Sequence, residues 1–227
     1  MSTIPKSAFK FLEKLKKNNH REWMQENKKE YLDGEQILKK FYAQVEAELN
    51  KEDDIAKLKV FRIHRDVRFS KNKTPYNVHR SVSFSRTGAH RRGGYYLRLE
   101  PGNSYMAGGF FSPESADLLR IRKEFEMNAT EIRDVLKQPE FDQAFQGFVE
   151  TSAVKTAPRG FSKEDPNIDL IKLKGYIVSH KFTDAEVFSP KFKDNLVKHF
   201  LLLRPFFDYM SEILTTDLNG VSTIDWS

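Results

Sequence analysis

Residues 62 to 79, RIHRDVRFSKNKTPYNVH, carry five Arg or Lys and two His against one Asp. The guanidinium groups of Arg62, Arg65 and Arg68 are planar forks whose donors match phosphate or carboxylate oxygens, and Lys73 adds a mobile point charge. Asp66, set among them, can orient one fork and limit repulsion between the cations. Tyr76 offers an aromatic contact, and His79 brings an imidazole whose ordinary pKa of about 6.5 suits proton exchange around neutrality. The segment has the composition of a site for an anionic small ligand. Arg62, Arg65, Arg68, Lys73 and Tyr76 are then the binding candidates, with His79 and Asp66 as the candidate proton-transfer groups.

The charge is local. Between Val60 and Arg98 ten Lys or Arg face the single acid Asp66, a balance of +9 in a chain whose net charge is +6, so the remainder sums to −3. A basic stretch of this kind points to one anion site rather than to a generally cationic surface. Cations converging in a concave pocket would favour a small ligand, and cations spread over a broad face would favour nucleic acid. Tyr76, Tyr95 and Tyr96 could stack on single-stranded bases, but no recognition helix or zinc-finger pattern accompanies them.

Plainer uses of the same residues exist. Arg62, Asp66 and Arg68 can form a solvated ladder of paired charges, and Arg65 an internal ion pair. His64, Asp66 and His79 include metal-binding types, yet no H-E-x-x-H or other close ligand set supports a metal. The absence of Cys excludes disulfides, thiolate zinc sites and cysteine nucleophiles. Gly93-Gly94 and Gly108-Gly109 stand in no G-x-G-x-x-G or Walker A context, so no motif names a cofactor. Arg159-Gly160-Phe161, in a loop-like stretch, could bring a further cation and ring to a ligand.

These residues need elements to hold them. Phe9, Phe11, Leu12 and Leu15 recur at helical spacing. Asn19 followed by Glu22 fits a capping arrangement for a second, longer helix, with Gly34 as a kink or break. The period then changes to 2: Phe61, Ile63, Arg65, Val67 and Phe69 would share one face of a strand, which makes Arg65 the anomaly on an apolar side. Further strands are expected at 81–85, 95–100 and 105–111, and GYIVSHKF can rejoin the sheet. Ser112 or Ser115 can cap the next helix, a helical stretch divides near Pro139, and a last helix runs from about Pro190 to Leu214, adjusted at Pro205. With no linker or repeat, residues 1–227 read as a single α+β domain: a mainly antiparallel central sheet flanked by N- and C-terminal helices. No run approaches the ~18 to 20 apolar residues that span a bilayer, and MSTIPKSAFKF lacks a secretory core, so the expected compartment is cytoplasmic.

The blocks NNHREWMQENKKEY, RIHRDVRFSKNKTPYNVH, GGYYLRLEPGNSYMAGGF, PRGF and LIKLKGYIVSH, in that order, resemble the bacterial and fungal family known as domain of unknown function 2461. The resemblance implies one domain and no established activity. Its R-x-x-R-D-x-R-F-S-x-x-K-x-P-Y core is matched by Arg62, Arg65, Asp66, Arg68, Phe69, Ser70, Lys73, Pro75 and Tyr76, with His79 following, and the loop motif by Arg159, Gly160 and Phe161. Family members commonly carry Tyr where this chain has His64, and often His where it has Arg98. The resemblance therefore turns attention from His64 to His79. The leading expectation is binding of a phosphorylated or otherwise anionic small molecule. An enzyme of transferase or hydrolase type acting on such a molecule is the alternative, and nucleic-acid binding comes third.

Overall fold

The computed structural model describes residues 3–149 and 153–224. Its helices begin where the apolar spacing places them: α1 (Lys6–Lys17) buries Phe9, Phe11, Leu12 and Leu15 on one face. The next helical stretch is divided into α2 (Arg21–Glu26) and α3 (Lys28–Leu49). The break falls at Asn27 and not at Gly34, which sits inside α3 where Ala8 of α1 packs close to it. The cap of α2 is also one residue later than expected. His20 accepts from the Trp23 amide, because the Asn19 side chain is committed elsewhere.

Five strands follow in one antiparallel sheet, ordered as in the chain. They are β1 (Ile55–Val60), β2 (Arg80–Arg86), β3 (Gly94–Leu99), β4 (Ser104–Phe110) and β5 (Tyr176–Phe182). Lys57 and Lys59 mark β1 as an edge, since charged side chains discourage further pairing. The expected strand over residues 61–69 does not form. Those residues begin an arm, 61–79, paired with itself by the single His64–Tyr76 bridge and by bonds from Arg65 N to Pro75 O (2.8 Å) and Asn77 N to Ile63 O (2.7 Å). Of the alternating apolar set only Ile63 is buried, and Phe69 is 97% exposed. With no core to receive that face, alternation alone does not make a strand.

The remaining helices are α4 (Ser115–Met127), α5 (Thr130–Lys137), α6 (Pro139–Phe145), α7 (Ile168–Ile171), α8 (Asp184–Val187), α9 (Phe192–Leu201) and α10 (Arg204–Thr215). Pro139 opens α6 and Pro205 lies in the first turn of α10, positions where the missing N–H costs nothing. The last helical stretch is thus two helices. At the start of α4 the capping position is held by Glu114 without a side-chain bond, rather than by Ser112 or Ser115.

The chain divides into two compact units. The first comprises Met1–Phe84, Tyr96–Met106 and Lys181–Lys198, the second Ser85–Tyr95, Ala107–His180 and His199–Ser227. In the first, Phe11, Leu12, Leu15, Met24, Ile63 and Tyr76 form a buried cluster that fixes the base of the arm against α1 and α2. Phe41 stacks on Phe192 in the same unit, with ring centroids 5.8 Å apart. In the second, Tyr176 takes Phe125 and Phe148 edge-on, and Arg86 lies over the Phe207 ring while its guanidinium bonds to Asp208 and the Arg92 carbonyl. Among the described residues no helix is long and apolar enough to cross a membrane.

Candidate functional site

A cleft of about 410 Å³ lies within the first unit, and its walls are the root of the arm. Phe61, Arg62, His64, Arg65 and Asp66 line it from the outgoing limb, Asn77 and His79 from the returning one. Ser81 of β2 and Tyr96 of β3 complete the lining from the sheet. Local chemistry holds each limb. The Phe61 amide donates to Ser81 O at 3.0 Å, so Arg62 is the first residue free of the sheet. On the other side the Asn19 side chain accepts from Tyr76 N (3.1 Å) and donates to Tyr76 O (2.9 Å), clamping the returning limb to the turn between α1 and α2.

His79 is fixed by its neighbour. Arg80 makes a bidentate pair with Glu35 of α3, at 2.7 and 2.8 Å, both side chains being more than nine-tenths buried. This pair pins the first residue of β2, and with it the imidazole that precedes it. Burial is the main cause that pushes the His79 pKa down, to about 4, reinforced by Arg98 and Arg80 and opposed by Glu100. At neutral pH the ring is uncharged, and among the described residues no hydrogen bond holds it.

The cations differ in how they are engaged. Arg65 donates to the Thr74 hydroxyl, to Thr74 O (3.1 Å) and, at 3.5 Å, to the Ser70 hydroxyl. It cross-links the arm through neutral oxygens, so its charge is not cancelled by a carboxylate. Arg62 makes no ion pair among the described residues, although its field helps hold the Asp66 carboxyl below the ordinary range. The larger causes of that lowering are the side-chain and backbone bonds from Arg68. Both Asp66 oxygens receive the Arg68 fork, at 3.0 and 2.7 Å, which leaves Asp66 a poor proton acceptor.

The other candidates from the sequence do not line the cleft, and of these Arg68, Lys73 and Tyr76 shape the arm. Arg68 is spent on Asp66 and lies over the Phe69 ring, 5.9 Å from its centroid. Lys73 donates to the carbonyls of Val67 (3.0 Å) and Arg68 (3.5 Å), closing the tip. Tyr76 is buried at 6% exposure, with its ring 5.1 Å from His64. Arg159 belongs to the second unit, exposed in the loop before α7, and the Phe161 ring beside it takes the Lys123 ammonium at 4.7 Å. Among the described residues no group of three or more His, Asp or Glu is placed to hold a metal ion.

Sequence reasoning missed Phe61, Asn77 and Ser81 as cleft residues, offered Tyr96 only as a base-stacking ring for nucleic acid, and missed the Glu35–Arg80 pair behind His79. One signal was available: Glu35 falls on the apolar stripe Tyr31, Leu38, Tyr42 of α3, where a carboxylate must find a partner.

Fold and cleft define an α+β protein with a five-stranded antiparallel sheet and a cation-lined recess at the root of a self-paired arm. A family model described as conserved hypothetical protein (DUF2461) matches residues 7–209, and the chain belongs to that family. Searches of curated proteins and of solved structures find no match.

Proposed function

We propose that the cleft at the root of the arm binds a phosphorylated or similarly anionic small molecule, with Arg62 as its principal contact. The observation that carries this reading is the meeting of two guanidinium groups lacking carboxylate partners, Arg62 and Arg65, with a neutral imidazole in one concave site. An anion entering there gains charge-assisted bonds from Arg62 without displacing an existing ion pair. The concavity favours a small ligand over nucleic acid, which needs an extended footprint. A cytoplasmic setting, where phosphorylated metabolites are found, is part of the same proposal.

The test is calorimetric titration with phosphate-bearing metabolites, beside melting curves. R62M is expected to lose affinity at least tenfold with an unchanged melting temperature, since Arg62 holds no structural bond through its guanidinium. R65M is expected to lose both affinity and stability, because it also releases the Thr74 and Ser70 bonds. Equal affinity in folded R62M contradicts the proposal.

An enzymatic reading rests on His79 alone. A neutral imidazole beside bound anion gains basicity from that charge and can then take a proton from the substrate. H79Q keeps polar size but cannot exchange protons. It should lower kcat about 100-fold with affinity within a few-fold if turnover of a bound ester or phosphate occurs; near-normal kcat assigns the site to binding.

A further inference from the structure

The cleft is far larger than a bare phosphate needs, and its two sides are unlike. Arg62 and Arg65 supply charge, whereas Phe61 and Tyr96 turn half-buried rings toward the same space. Those rings are buttressed. Phe61 meets Tyr96 edge-on, with centroids 6.1 Å apart and planes at 67°, and Tyr96 rests against Tyr105 at 5.9 Å. Lys59 lies 5.1 Å over the Phe61 ring and holds it in place. Rings held this way lose little freedom when a flat group settles on them.

A polar reader stands nearby. The Asn77 amide nitrogen reaches the Arg62 carbonyl only at 3.4 Å, and its side-chain oxygen has no partner among the described residues. A carboxamide in that condition can give and take hydrogen bonds with the edge of a heterocycle. Ser81 is buried and forms part of the same wall.

We infer that the ligand is a phosphate monoester carrying a planar heterocycle, of the nucleoside monophosphate kind. Its phosphate lies on Arg62 and Arg65, its ring lies against Tyr96 and Phe61, and its ring edge is read by Asn77. This rests on the anion-binding reading above and adds the ring to it.

Four probes separate the two: adenosine monophosphate, cytidine monophosphate, ribose 5-phosphate and inorganic phosphate, titrated into the full chain by calorimetry. At least one nucleotide is expected to bind tenfold or more tighter than ribose 5-phosphate, which in turn matches or exceeds inorganic phosphate. In Y96L the nucleotide advantage should shrink to within about threefold while ribose 5-phosphate affinity holds, and Y96F should keep the advantage because the ring remains. Should Y96L not fold, F61L takes its place, and the wild-type ratio decides independently. Equal binding of ribose 5-phosphate and both nucleotides overturns the inference and leaves the anion site standing. Failure of all four phosphates to bind removes both. A nucleotide advantage that survives in folded Y96L and F61L also overturns the assignment of the ring to this wall.

Discussion

His79 feels the guanidinium groups of Arg98 and Arg80 from inside a partly dehydrated recess, so folding makes it harder to protonate. The unfolded chain takes up that proton near the ordinary pKa of 6.5, the folded chain only near 4. Between those values the unfolded state binds more protons, so stability falls with falling pH. The contribution of the neutral ring is complete above 6.5 and is lost as pH drops through 4. Melting temperatures of wild type and H79Q should therefore run parallel above neutrality, with wild type falling more steeply below it; parallel curves down to pH 4 contradict this environment. The same scale explains why Arg65 is a poor reporter by itself. Its charge was legible in the sequence, but its bonds to Thr74 and Ser70 depend on the arm folding back, which spacing does not reveal. Arg62 has no such second duty and is the cleaner probe.

Two contacts make the arm and the first strand residues into a platform. Asn19 satisfies both backbone groups of Tyr76, and the Glu35–Arg80 pair ties α3 to β2. N19A removes two bonds to a part-buried peptide and should cost about 1 to 3 kcal/mol in urea denaturation, whereas F69S, at the exposed tip, should change stability by less than about 0.5 kcal/mol. R80M strands a buried carboxylate and should cost about 3 to 5 kcal/mol, with E35L/R80M recovering most of it. Losses in R80M of less than about 1 kcal/mol would show that water reaches the pair. Strands β2 to β5 were legible because each alternates and packs its inner face, as Val82, Phe84, Leu97, Leu99 and Met106 do. Residues 61–69 alternate as well, and β1 hides under Lys57 and Lys59, so the sequence points one segment too late for the first strand. Capping signals erred in the same way: Asn19 has the right type for a cap, and a distant partner, Tyr76, claimed it.

Across the whole molecule, the excess of basic residues between Val60 and Arg98 sorts into separate duties. Arg80, Arg86, Arg92 and Arg98 hold partners in Glu35, Asp208, Asp117 and Glu100, Arg68 is tied to Asp66, and Lys73 closes the arm tip. What remains directed at the cleft is the pair Arg62 and Arg65. The local charge was plain from the sequence; its division was not, because every carboxylate partner except Asp66 lies outside that stretch. The aromatic side of the cleft was equally hidden, since Tyr96 and Phe61 meet only through the pairing of β1, β2 and β3. The most direct measurement is a crystal structure grown with a phosphate monoester. Phosphate oxygens are predicted within about 3 Å of the Arg62 guanidinium nitrogens, with His79 lining the same site. A phosphate seated elsewhere on the protein, with the cleft holding only water at saturating ligand, would contradict it.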